Sequence, residues 1–159
     1  MEYNPDTLSR AKRWLGSIAT IVAMLFLLVF FARHQTLNTG FFTSKFGMGE
    51  SLALYFPILL SFGAPIARAM SGRQNSARPF DAATNLSLGM GSLWLAIVFP
   101  FDFAHLTDSL PYGFRILFSW ITDDVGRFVL ILQVIIGLIA APVQLFTFFS
   151  IRRHATATH

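Results

Sequence analysis

The sequence predicts an all-α protein: a four-helix transmembrane bundle with a short interfacial helix between the third and fourth spans. Three observations carry this expectation. Of 159 residues, 54% are hydrophobic and only 13% charged, with 18 phenylalanines, whereas a soluble domain carries about a quarter charged residues. Four stretches approach the roughly 20 mostly apolar residues that a helix needs to cross the hydrocarbon core. The basic residues flank those stretches, which is the pattern of membrane topology.

The first span is expected over residues 14–32, where Ser17 and Thr20 are the only polar side chains. Arg10, Lys12 and Arg13 precede it, as in a signal peptide, but the apolar run is long and no small-residue cleavage site follows. It reads as a retained helix that also targets the chain to the membrane. The second span, 51–70, contains Pro57 and Pro65, with Gly63 and Ala64 beside the latter. Proline removes a backbone donor and bends the axis, so a kink is expected. The third, 82–101, holds Asn85, Ser87 and Ser92, and Pro79-Phe80-Asp81 before it reads as a stop followed by an N-cap at Asp81. The fourth, 125–151, holds Gln133, Pro142 and Gln144 and is preceded by Thr122-Asp123-Asp124, acidic where the helix macrodipole favours it. No Asp, Glu, Lys or Arg lies near the middle of any span.

Orientation follows from the twelve lysines and arginines. Eight (Arg10, Lys12, Arg13, Arg68, Arg73, Arg78, Arg152, Arg153) fall on the side of the two termini, and four (Arg33, Lys45, Arg115, Arg127) on the other. The richer side is expected to be cytoplasmic, which puts both termini inside, and the short loops suit a prokaryotic inner membrane. Between spans one and two, residues 33–50 mix Phe41, Phe42 and Phe46 with polar residues and are expected to lie on the membrane surface. Residues 111–121 repeat Phe114, Leu117, Phe118 and Ile121 at helical spacing after Pro111, with Trp120 at the amphipathic level. That pattern predicts a short helix in the headgroup plane.

Small residues four apart, Ser87 with Gly91 and Gly137 with Ala141, predict close helix packing, with Gly89 adding to the face of span three. Asn85 and Gln133 are expected to hydrogen-bond between helices, on the order of 0.6 kcal/mol each. There is no internal repeat, and the two halves differ in loop length, so an inverted-repeat transporter is not suggested.

Chemistry is sparse. There are no cysteines, which excludes disulfides, thiolate metal sites and cysteine nucleophiles. The net charge of +4 is accounted for by topology, so no nucleic-acid partner is expected. The densest polar cluster, Asp102-Phe103-Ala104-His105-Leu106-Thr107-Asp108, together with His34, offers carboxylates and imidazoles suited to Zn, Mn or non-haem Fe. His34 and His105 end spans one and three, diagonal in a simple bundle, and could be tested as axial haem ligands. The competing reading is that polar residues belong at helix ends, with Asp102 and Asp108 capping turns or pairing with Arg115 and Arg127. No cofactor is predicted. Arg152-Arg153-His154 could hold anionic headgroups. Proton relays and ion-coupled transporters place ionisable groups inside the membrane, and none sits there, so no catalytic residue is assigned. Three functions are weighed: a non-catalytic subunit or scaffold packing against other membrane proteins or itself; an oligomeric pore lined by Asn85, Ser92, Gln133 and Gln144; and a metal- or haem-binding redox subunit.

Overall fold

The computed structural model describes residues 7–157. Helix α1 spans Arg10–Thr36, α2 Met48–Leu60, α3 Gly63–Ser71, α4 Arg78–Val98, α5 Tyr112–Phe118 and α6 Asp123–Ala157, with a short 3-10 turn at Phe103–His105. Among the described residues there is no strand; two isolated bridges, Thr7 with Arg73 and Phe42 with Phe101, tie loops together. The protein is all-helical. Three segments, Arg13–Thr36, Met48–Ser71 and Asp123–Arg153, are long and apolar enough to cross a membrane, which marks a membrane protein.

Several element bounds differ from the sequence expectation. The second span divides into α2 and α3, with Ser61 and Phe62 between them. Pro65 lacks the N–H that would bond the Ser61 carbonyl, so the helical ladder fails there. Helix α4 begins at Arg78, with Pro79 in its first turn, where the missing N–H would be unbonded anyway. Asp81 is therefore not the N-cap. It lies inside the first turn and accepts from Arg68. The same helix stops at Val98, earlier than expected, because Phe99 adopts the left-handed conformation at φ 42° immediately before Pro100, and the residue before proline is disfavoured in the α region. Helices α1 and α6 run past their expected ends at both sides, and α5 is shorter than the predicted 111–121.

The helices pack in an open series. α4 lies between α2 on one side and α6 on the other, α3 bridges α1 and α4, and among the described residues no substantial packing joins α1 to α6. A simple closed bundle, with spans one and three diagonal, is therefore not what forms. The physical cause sits in α4. A Cβ on Gly91 would strike the Ala53 carbonyl of α2, and one on Gly137 would lie 2.8 Å from Gly89 Cα and 2.5 Å from the Asn85 carbonyl oxygen. Gly89 and Gly91 are about 200° apart around a helix, so α4 brings its backbone against a neighbour on both faces. Pro57 contributes: without an N–H it leaves the Ala53 carbonyl outside the ladder of α2, and that carbonyl is the one pressed on Gly91. The expected small-residue faces are thus split, with Gly91 turned to α2 while Gly89 and Gly137 meet each other.

Polar side chains fasten the series. Ser17 of α1, buried, donates to the Pro65 carbonyl of α3 at 3.1 Å. Ser92 of α4 donates to Gln133 Oε1 of α6 at 2.8 Å. The interhelical partner expected for Gln133 is therefore Ser92, while Asn85 meets α6 through its backbone carbonyl. Tyr55 donates to Gln35 at 2.7 Å and Trp94 Nε1 to Glu50 at 3.0 Å.

Candidate functional site at the capped end

Because α1 and α4 run one way and α2–α3 and α6 the other, the chain has two ends. One carries both termini and the loop at residues 72–77. The other carries residues 37–47 and 99–122 and is closed by a cap.

The cap is built by two loops that pair through backbone. Asp102 N donates to the Phe41 carbonyl at 2.8 Å, and Thr43 N donates to the Pro100 carbonyl at 3.0 Å. These bonds satisfy amides that would otherwise be costly to bury. Phenylalanines can therefore turn inward. Phe41 is only 1% exposed and centres a core with Leu95, Phe99, Phe101 and Leu106. Its ring centroid lies 5.4 Å from those of both Phe101 and Phe103, within the range for edge and offset aromatic pairs. The expected membrane-surface placement of residues 33–50 is thus corrected at Phe41, which fills the cap interior. The positive φ of Phe99 costs about 1–2 kcal/mol, offset by its burial and by the Arg127 guanidinium stacked 3.7 Å from its ring centroid.

His34 is 1% exposed under this cap. Its Nε2 lies 3.0 Å from the Leu106 carbonyl and 2.7 Å from Ser109 Oγ, and Nδ1 lies 2.6 Å from Thr39 Oγ1. A carbonyl can only accept, so Nε2 carries the proton in that bond, and a neutral ring then accepts at Nδ1 from the Thr39 hydroxyl. The ring also packs against Phe30 and Phe41, at 4.8 and 4.7 Å between centroids. This histidine is a tie between α1 and the second loop, not the solvated interfacial residue its position in sequence suggests.

His105 is different. Its side chain is 45% exposed and Nδ1 lies 2.8 Å from Asp108 Oδ2. The hydrogen bond that Nδ1–H donates to the Asp108 carboxylate, with the nearby charges of Asp102 and Asp108, raises its pKa above 6.5. Its ring rests against Gly40, which holds φ 92°, a conformation glycine adopts without strain. Asp102 Oδ1 accepts from Ala104 N at 3.1 Å, and Asp123 Oδ1 from Phe103 N at 2.9 Å, so both carboxylates fix the turn. Arg115 donates to the Leu110 carbonyl at 3.2 Å. The expected pairing of Asp108 with Arg115 or Arg127 is replaced by His105, because Arg115 is occupied with loop carbonyls and Arg127 with Phe99.

Of the four residues singled out for a metal, the structure brings Asp108 to His105 and leaves His34 engaged elsewhere; among the described residues no three His, Asp or Glu side chains form a group able to hold a metal ion. Beside the turn, a cleft of about 440 Å³ is lined by Asp102, Phe103, Thr107, Phe118, Asp123 and Asp124, among others. At the other end, Arg152 and Arg153 are exposed near the C-terminus of α6, with Arg152 6.0 Å from the Phe148 ring centroid. The side chain of His154 lies outside the described residues. Sequence reasoning treated Arg13, Arg68 and Arg78 only as topology signals; the pairing of Arg68 with Asp81 at 2.7 Å across thirteen residues carried no local signature.

Comparison with family models, with curated proteins and with solved structures finds no match.

Proposed function

We propose that the chain is a non-catalytic integral membrane subunit or scaffold that packs against other membrane proteins or against a second copy of itself. The observation that carries this reading is the open helix series. α1 and α6 are each covered on one side only, and their remaining faces are rows of large apolar side chains: Val22, Phe26 and Val29 on α1, Ile135, Ile139 and Phe146 on α6, all more than half exposed. In a bilayer those faces meet lipid or another helix, and helix association there rests on packing and small residues rather than on hydrophobicity.

The placement that goes with this function has four crossings. α4 is not one of the three segments long and apolar enough to cross by themselves, yet it is flanked by α2 and α6 and crosses with them. Both termini lie in the cytoplasm of a cell whose inner membrane holds the protein, following the charge asymmetry. α5 lies in the opposite headgroup plane, with Tyr112 90% and Ile116 78% exposed and Pro111 before its first turn.

A pore has less support. Of the polar side chains that would line it, Ser92 and Gln133 bond each other and Gln144 accepts from Arg78. A haem pair has less support too, since both ring nitrogens of His34 are engaged within the chain. Native mass spectrometry of the protein taken from its own membranes in mild detergent tests the proposal. We expect a mass exceeding one chain, from a partner or a second copy. A stable lone monomer that conducts ions or small solutes in liposomes overturns it.

A further inference from the structure

The uncharged length of the helices differs across the series. Residues 14–32 of α1 carry no charge between Arg13 and Arg33, about 28 Å of helix at the usual rise per residue. That matches the hydrocarbon core of roughly 30 Å. Residues 128–151 of α6 carry none between Arg127 and Arg152, about 36 Å by the same rise. The contacts between helices place the surplus at one end. At the capped end the two helices meet one aromatic core: His34, next to Arg33, packs on Phe41, and Arg127 stacks on Phe99. At the other end the polar contacts step from seam to seam. Arg13 of α1 lies against Gly72 just after α3, Arg68 of α3 meets Asp81 of α4, and Arg78 of α4 donates to Gln144 of α6 at 3.0 Å. On α6 the polar boundary shared with its neighbour is therefore Gln144. The helix continues past it through residues 145–151, about 10 Å, before the next charges at Arg152 and Arg153.

This overhang is apolar and uncovered. Phe146 is 77% exposed, Phe149 54% and Leu145 42%. Helix α4, the packing partner of α6, begins at Arg78, so no turn of α4 lies beside it. Apolar surface of this kind is unfavourable in water and not in hydrocarbon. The arginine pair that ends it carries the charge that meets lipid phosphates at a membrane boundary. A span longer than the local bilayer is accommodated by tilt, by a bend or by thicker lipid around it. α6 is held to α4 where Gly137 meets Gly89 and where Ser92 bonds Gln133, so it cannot tilt without carrying α4, whose own charged end is at Arg78.

We propose that the outer face of α6 is a lipid-binding surface fitted to a thicker bilayer than the α1 face. It takes lipids of longer acyl chain, with Arg152 and Arg153 at the level of their phosphates. The proposal rests on α1 and α6 crossing the membrane and not on the scaffold reading, so either stands if the other fails.

The test reconstitutes the full chain in phosphatidylcholine vesicles of short, intermediate or long monounsaturated acyl chains and follows thermal unfolding by circular dichroism. We expect the unfolding temperature to be highest in the long-chain vesicles. The double variant Phe146→Lys with Phe149→Lys alters only exposed side chains and moves the charged boundary of α6 back toward Gln144. Its optimum should shift to intermediate chains with unchanged helical content. Ile116→Lys places a charge on exposed α5 at the opposite end and should leave the optimum in long chains. A second measurement does not depend on the stability of a charged variant. The chain has no cysteine, so Phe146→Cys carries a single polarity-sensitive fluorophore. Its emission should be that of hydrocarbon in long chains and shift toward that of water in short ones, while a label at Leu25→Cys, within the α1 span, stays apolar in all three. An unfolding temperature independent of chain length shows that tilt absorbs the surplus and overturns the proposal. So does an unchanged optimum in the double variant, or an aqueous label at position 146 in every vesicle.

Discussion

The two ends of this helix series hold themselves together in opposite ways. At the capped end the polar groups close on one another. Loop amides find loop carbonyls, His34 uses both ring nitrogens, and a phenylalanine core fills what remains. At the end bearing the termini the helices are joined by long cationic side chains, and among the described residues three shielded Nε–H groups there have no acceptor. A cap whose donors are met needs no further ligand to be stable. The difference is between an end closed by loop and aromatic packing and an end joined by charged side chains.

Mutations at the two ends should separate these regimes. The largest effect is expected at Phe41, 1% exposed at the centre of the cap. Phe41→Ala should lower stability by about 3–5 kcal/mol, through lost transfer energy and the cavity left behind, with little dependence on salt. Chemical or thermal unfolding in detergent measures it; a loss below 1 kcal/mol would show that the aromatic cluster is not the core of this end. Asp81→Asn at the opposite end should cost about 1–2 kcal/mol. That is less than for a fully buried pair, because Arg68 and Asp81 remain about one-fifth exposed. Its effect should shrink as ionic strength rises, and a salt-independent loss would argue that Asp81 acts by packing alone.

Smaller still is Ser17→Ala, which removes the bond to the Pro65 carbonyl. About 0.6 kcal/mol is expected, the average for interhelical hydrogen bonds in membranes, and a loss several times larger would mean the α1–α3 seam depends on that one contact. The smallest effect is a pH dependence at His105. Its pKa is raised by Asp108, so its contribution is complete below 6.5 and is lost as pH rises through the raised folded value. Stability of the cap should therefore decline gently above pH 6.5, and His105→Gln should abolish the decline. An unchanged slope in that variant would assign the titration to another group.

Much of the fold was legible because it follows from solvent. Long apolar runs, helix-end charges and proline positions are local or additive, and they predicted helices close to α1 and α6 and a disturbance near Pro65. The break was read as a kink because the sequence does not say whether the freed Ser61 carbonyl can be tolerated within a continuous helix. The start of α4 was misplaced because Asp81 looks like an N-cap locally, and only a partner far away in sequence, Arg68, decides its use. The candidate site was least legible. His34 and His105 are the same residue type at equivalent helix ends, yet one is buried with three partners and the other lies half in water. What buries His34 is its meeting with Leu106 and Ser109, more than seventy residues away along the chain, and no local pattern around His34 announces that.

The sequence by itself determined that this is an all-helical membrane protein with charge concentrated at one end, since hydropathy and the placement of lysine and arginine are properties summed along the chain. Only the tertiary structure decided that α4 is the central helix of an open series, that Phe41 lies inside a cap rather than on a membrane surface, and that Arg68 pairs with Asp81 across the α3–α4 seam. Each of these depends on which backbones can approach. Gly89, Gly91 and Gly137 permit that approach, but a glycine in a sequence does not state which neighbour it admits.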